Sequence, residues 1–363
     1  MIKTLIKRQK LLLFLSLLCG GLGLALLFHL QPRLLFPNAS SPTMSSTALA
    51  GRCPDQMVWV AGGDFAMGSD DFYPEEKAVD DVRVTGFCID THEVTNAQFA
   101  KFVADTNYRT VAERPLSAEE YPQLSAAQRQ PGSLVFQMPE SPNQPVPELS
   151  WWHWTPGANW QHPQGPASDL TGREQYPVVH IAVEDAQAYA QWANKQLPTE
   201  SQWEYAARGG LQGASFTWGN EYKPTLANSW QGLFPLFNTA EDGHVGLAPV
   251  ESYPPNSYGL YDMAGNVWEW TLDWYQPGHG GKAHQTNPTG PLAKDSYDNR
   301  EPGVAKHVIK GGSYLCAPNY CSRFRPGARE AQSPDTGTSH IGFRLVQQPE
   351  ADPSLGLLPG SSG

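Results

Sequence analysis

The sequence predicts an α+β domain with little regular structure, and three observations carry that expectation. The 363 residues include 34 glycines and 32 prolines, which interrupt helices and strands before they grow long. Helix signals are few and short. The strand signals are brief runs bounded by turn residues.

Taken in order, the chain opens with Lys3, Lys7, Arg8 and Lys10, followed by an apolar run from Leu11 to Leu30. That run is long enough to cross a bilayer as a helix, which needs ~20 residues. Residues 1–30 are therefore expected to be an uncleaved signal anchor, with the basic end cytoplasmic and the rest exported. A cleaved signal peptide is the alternative reading. Residues 31–52, with Pro32, Pro37 and Pro42 among serines, read as a flexible tether. The folded domain is expected over residues 53–347. Residues 348–363, rich in Pro, Gly and Ser, read as a disordered tail.

Within the domain, Met57–Val60, a Gly62-Gly63 turn and Phe65–Met67 read as a hairpin. Val82, Val84, Phe87 and Ile89 mark a further strand. Cys53 and Cys88 flank this region, and are either paired or two separate buried thiols. Thr95 with Gln98 is a capping box, and Phe99, Phe102 and Val103 supply the stripe of the helix that follows. Residues 105–150 are loop-rich. Trp151, Trp152, Trp154 and Trp160 then form an aromatic cluster suited to a core or a groove wall. Val178–Ile181 reads as a short buried strand, and Val183–Asn194 as a helix. Thr199 and Gln202 form a second capping box, on a helix that stops at Gly209-Gly210. Short strands and turns fill the remainder.

The formal net charge is −11, and no basic patch follows the first ten residues. Nucleic acid is excluded as a partner on that ground. No Walker loop, dinucleotide fingerprint or Gly-x-Ser-x-Gly appears. The histidines form no metal triad in sequence, and His279 and His284, in a glycine-rich loop, are expected to face solvent.

The most informative stretch is Lys310–Arg325. It holds two of the five cysteines, Cys316 and Cys321. Their spacing brings the thiols together only if the chain bends, and Pro318-Asn319 supplies turn chemistry. Two such thiols serve as a structural disulfide, as a redox pair or as a soft-metal site. Two sulfurs with no nearby histidine suit Cu(I), whereas zinc wants four ligands.

Gly311–Cys316, Tyr320-Cys321, Arg323–Arg325 and His340–Arg344 together resemble the C-terminal signature of the formylglycine-generating enzymes, the sulfatase-modifying factor family. The resemblance continues through Leu197–Glu200, Trp203–Tyr205, Trp218–Asn220 and Gly265–Trp270, and covers about residues 55–347. It implies a C-type-lectin-like fold. It implies oxidation of the cysteine in an unfolded Cys-x-Pro-x-Arg segment of a sulfatase to Cα-formylglycine, with molecular oxygen as co-substrate. Cys316, Cys321 and Ser313 would be catalytic, the two cysteines holding Cu(I), with Trp268 and His340 lining the substrate and oxygen pocket. It also implies two Ca2+ sites: Asn228, Ser229, Asp242 and His244 form one, and Asp262, Gly265, Val267 and Glu269 the other. By spacing alone, Asp262 is better explained as a turn cap. Vertebrate members carry extra disulfides at positions occupied here by Ala190, Ala207, Pro326 and Leu345. A non-catalytic lectin-like module binding protein or carbohydrate is the alternative, and the presence of Ser313 with both cysteines speaks against it.

Overall fold

The computed structural model describes residues 53–348, apart from 78, 120, 127–128, 141–145 and 282. The expected anchor, tether and tail fall outside these residues, save for residue 348. No helix among the described residues is long and apolar enough to cross a membrane.

Strand β1 (Met57–Met67) pairs antiparallel with β2 (Asp80–Asp90), and β11 (Val346–Gln347) joins the far side of β2. The expected turn at Gly62-Gly63 is absent: β1 runs through it in unbroken register, with Gly62 opposite Thr85. The glycines serve close approach instead. A Cβ on Gly62 would sit 2.3 Å from the Val84 carbonyl oxygen, and one on Gly63 would sit 2.8 Å from the Tyr205 hydroxyl. That hydroxyl donates to the Gly62 carbonyl at 2.6 Å, so the bare strand leaves room for the Tyr205 side chain to reach its backbone.

Cys53 and Cys88 are joined by a disulfide. The bond ties the entry of the domain to the central strand of this sheet, and it belongs to an oxidising compartment.

Helix α1 (Asn96–Thr106) begins at the Thr95 capping box. Gln98 N donates to Thr95 Oγ1 at 3.3 Å, and Thr95 N donates to Gln98 Oε1 at 2.8 Å. Its buried Phe99 packs edge-on against Trp160, with ring centroids 5.2 Å apart, and stacks on Tyr189 of α2 (Val183–Trp192) at 5.8 Å. The segment before α2 is buried but is not a strand. His180 adopts φ +62°, which breaks the extended run expected over residues 178–181.

Helix α3 (Glu200–Arg208) starts at the Thr199 capping box and stops at Gly209, which is left-handed, φ +55°. It is buried nearly all round. Trp203 donates its indole N–H to Glu269 at 2.7 Å. Glu200 and Glu204 meet Arg329 at 2.8 Å and Lys310 at 3.0 Å, and Arg208 bonds Glu204 at 2.7 Å. Buried charges persist only when paired in this way.

Two small ribbons, β3 (Gly132–Phe136) with β4 (Trp152–Pro156) and β5 (Gly232–Leu233) with β6 (Phe237–Asn238), lie outside the main sheets. The second sheet has the order β10 (Ile341–Gly342), β7 (Trp268–Trp274), β8 (His307–Lys310) and β9 (Glu330–Gln332). Strand β8 leads into the cysteine stretch and β10 follows His340, so one sheet positions both sides of the site.

Candidate active site

At the end of β8 the chain turns through Gly311 (φ +92°) and Gly312 (φ +71°). A Cβ on Gly312 would lie 2.9 Å from Phe324 N, so glycine lets the returning segment 323–324 pack against the turn. The bend expected between the cysteines is present: Tyr320 N and Cys321 N both donate to the Ala317 carbonyl, at 3.1 and 2.9 Å. Cys316 N donates to the Ser313 carbonyl at 2.9 Å, and Trp230 N donates to the Cys316 carbonyl at 2.9 Å.

This folding brings the two thiols together. Cys316 Sγ and Cys321 Sγ lie 2.8 Å apart and are not bridged. Cys316 is buried and Cys321 partly open. Burial pushes the Cys316 thiol up, and the neighbouring sulfur adds to that. Cys321 is lowered, first by the hydrogen bond from Cys316 and then by the Arg323 guanidinium. Of the two, Cys321 is the thiol that loses its proton more readily.

Arg323 is firmly held. It bonds Glu75, lies 3.3 Å from Glu330, and its guanidinium sits 4.0 Å over the Tyr73 ring. Tyr73 also accepts from Ser322 N at 3.1 Å, and the neighbouring Arg325 makes a buried pair with Glu76. The segment 73–76 thus clamps the chain just after Cys321.

Both cysteines line a cleft of about 850 Å3. Trp151, Phe234 and Tyr320 form one wall, with Phe234 and Tyr320 stacked at 4.4 Å and Trp151 edge-on to Tyr320 at 5.6 Å. Ser313, Trp268 and His340 line the same cleft, so the structure gathers all five residues expected there. Trp268 N donates to the His340 carbonyl at 2.9 Å, which fixes those two across the β7–β10 pairing. Ser313 is buried, and its hydroxyl accepts from Leu315 N at 3.3 Å. Of the tryptophan cluster, Trp151 and Trp152 are groove wall and Trp160 is core.

The residues of the first expected cation site also converge. Asp242 accepts from Ser229 N at 2.9 Å, Gln231 Nε2 at 3.0 Å and His244 N at 2.9 Å. Its carboxylate is thus already occupied by N–H donors. The second set sits beside it, since Asn266 N donates to the Asn228 carbonyl at 2.8 Å. Here the chemistry suits a hard divalent cation. Glu93, Asp262 and Glu269 are three buried carboxylates sharing one guanidinium, that of Arg344. Glu269 is engaged by Arg344 and Trp203, whereas Glu93 Oε2 and Asp262 Oδ1 are buried with no hydrogen-bond donor. Burial, then the Asp262 charge, pushes Glu93 up; burial pushes Asp262 up to about 6. Glu93 escaped the sequence reading, although an acid between His92 and Val94, directly before a capping box, is a polar residue where burial is expected.

His279 is buried rather than solvent-facing. It lies against Glu200 and Glu204, and the three form a grouping with metal-ligand proximity. Lys310, Arg329 and Arg208 already outnumber the two carboxylates there. Glu200 and Glu204 are held low against their burial by those cations, so the grouping is an ion-pair network and repels a further cation.

The sulfatase-modifying factor enzyme 1-like domain family matches residues 43–349. The formylglycine-generating enzyme of Mycobacterium tuberculosis is 48% identical over 297 residues, covering 81% of this chain and 98% of that protein. The formylglycine-generating enzyme of Thermomonospora curvata is 44% identical, covering 81% and 93%. Among solved structures, PvdO from Pseudomonas aeruginosa superposes with a TM-score of 0.55 at 22% identity, over 80% of this chain and 94% of that one, a likeness of fold. With these matches spanning the whole described domain and its two-thiol cleft, the chain belongs to the formylglycine-generating enzyme family.

Proposed function

We propose that this protein oxidises the cysteine of a Cys-x-Pro-x-Arg segment in an unfolded sulfatase to Cα-formylglycine, with molecular oxygen as oxidant. One observation carries the reading. Two unbridged thiols, Cys316 and Cys321, stand together in a cleft large enough for an extended peptide.

Cys316 and Cys321 would hold Cu(I), and two adjacent soft sulfur donors fit that ion. When bound, the copper would supply a soft acceptor for sulfur and one-electron chemistry toward oxygen. The chain's own groups do the rest. Arg323, fixed by Glu75, Glu330 and Tyr73, favours the thiolate form of Cys321. Trp151, Phe234 and Tyr320 offer flat apolar faces to the peptide, and Trp268 and His340 line the same cleft. The substrate –CH2SH loses two electrons and two protons to give a thioaldehyde, and water converts this to –CHO and hydrogen sulfide. Reduction of oxygen to two waters takes those two electrons and two protons, and two more of each from two external thiols, which become a disulfide.

Ca2+ is proposed at Asp262, with Glu93, Glu269 and the carbonyls of Gly265 and Val267 at hand. Asn228, Ser229, Asp242 and His244 are the second proposed set. The disulfide supports an extracytoplasmic domain, and we propose that residues 1–30 anchor it in the membrane.

The test is incubation of the full chain with a Cys-x-Pro-x-Arg peptide, Cu(I), oxygen and a thiol reductant. The expected product is lighter by the exchange of –CH2SH for –CHO and is captured by an aminooxy reagent. An unchanged peptide would reject the reading.

A further inference from the structure

Thr338 and His340 lie on the loop entering β10, and both line the cleft. Both are anchored through the backbone. The Thr338 carbonyl accepts from His180 N at 2.9 Å, and the His340 carbonyl accepts from Trp268 N at 2.9 Å. The Trp152 ring lies against the His340 imidazole, with centroids 4.7 Å apart. The side chains are joined as well: Thr338 Oγ1 is hydrogen-bonded to His340 Nδ1.

A neutral imidazole carries one N–H, so that bond can run in either direction. Burial, with the neighbouring His180, holds His340 down to about 3, so the ring is neutral at working pH. Thr338 is 5% exposed, and its hydroxyl makes no hydrogen bond to any other described residue. If Thr338 accepted, its own proton would have no acceptor among the described residues, on a side chain that is nearly covered, which is costly. If it donates, nothing is stranded: Nδ1 accepts and the ring proton sits on Nε2. That nitrogen bonds no described residue, on a ring that lines the cleft.

We infer that Thr338 is a positioning residue that locks His340 in its Nε2–H form, making that group a fixed hydrogen-bond donor to a backbone carbonyl of the peptide in the cleft. The inference rests on the proposed peptide substrate. An extended peptide brings carbonyls with no internal partner, and a donor whose direction is set beforehand binds one without reorganising. Neither cysteine is needed for this role.

The experiment has two arms on the full chain. Long-range proton–nitrogen correlation of 15N-labelled protein reads the tautomer of His340, assigned by loss of its signals in His340→Gln. Wild type and Thr338→Ser are expected to carry the proton on Nε2, and Thr338→Val to show both tautomers. In turnover, Thr338→Val should raise KM for the peptide about fivefold, the worth of one ordinary hydrogen bond, with kcat changed less and Thr338→Ser restoring wild-type behaviour. A wild-type proton on Nδ1 would overturn the inference, as would a valine variant that matches wild type in tautomer and KM. The tautomer is read without turnover, so a wild-type protein with Nε2–H that forms no aldehyde would count against the proposed activity and not against the lock.

Discussion

Arg344 closes on Glu269 with two parallel bonds, Nε to Oε2 at 2.7 Å and Nη2 to Oε1 at 2.8 Å, with both side chains fully buried. The same guanidinium faces Glu93 and Asp262 and donates to the Tyr261 carbonyl at 2.9 Å. Removing it strands up to three carboxylates in the core. Arg344→Met is expected to cost ~3–5 kcal/mol, the usual penalty for breaking a buried pair. Urea unfolding measures it, and a loss below about 1 kcal/mol would show that Arg344 is not the hub of this cluster.

The acidic cluster also predicts how pH and Ca2+ act together. Folding raises Asp262 to about 6 and raises Glu93, both chiefly through burial. A carboxyl raised on folding contributes stability that is present below its unfolded value, near 4, and lost as pH rises through the folded value. In chelator, stability from this cluster should therefore fall between about pH 4 and pH 7. Ca2+ should flatten that fall by compensating the charge, adding ~2.7 kcal/mol at one hundred times its dissociation constant. Asp262→Asn should weaken both effects. Melting curves with and without chelator that coincide at pH 7 would remove the cation from the account.

The Cys53–Cys88 bond closes a loop of 35 residues around β1. Cys53→Ser with Cys88→Ser should lower stability by ~2–4 kcal/mol. Tyr73 and Glu75 lie within that loop, but they hold Ser322 and Arg323 by contacts of their own, so peptide turnover at 20 °C should persist in the double variant while it stays folded. Loss of turnover without loss of stability would contradict this.

The basic residues before Leu11–Leu30 predict that the domain faces away from the cytoplasm. Protease added to intact spheroplasts should digest residues 53–347. Protection of the domain would reverse the topology.

Much of the fold could be read from local chemistry. Both threonine capping boxes sit where Thr95–Gln98 and Thr199–Gln202 placed them, because a cap is a property of four consecutive residues. The cleft residues Ser313, Trp268, His340 and both cysteines converge as the family resemblance implied. Long-range relations were out of reach. Gly62-Gly63 has turn composition, but its role depends on Tyr205, 142 residues away from Gly63 in sequence, whose hydroxyl fills the space of the missing side chain. His279 lies in a glycine-rich loop, and its burial comes from Glu200 and Glu204 on α3. Arg323 follows Cys321 by two residues, a visible hint of electrostatic influence, whereas its partners Glu75 and Tyr73 come from the far end of the domain.

The central claim is that Cys316 and Cys321 act together as the oxidising site. It is tested most directly by comparing wild type with Cys316→Ser and Cys321→Ser for aldehyde formation on a Cys-x-Pro-x-Arg peptide, at matched folded concentration. Serine keeps the size of the side chain and removes the soft donor. The account predicts stoichiometric Cu(I) protection of both thiols and steady aldehyde formation in wild type, with both lost in each variant while the melting temperature barely moves. A Cys321→Ser protein that still produces aldehyde at the wild-type rate would contradict it.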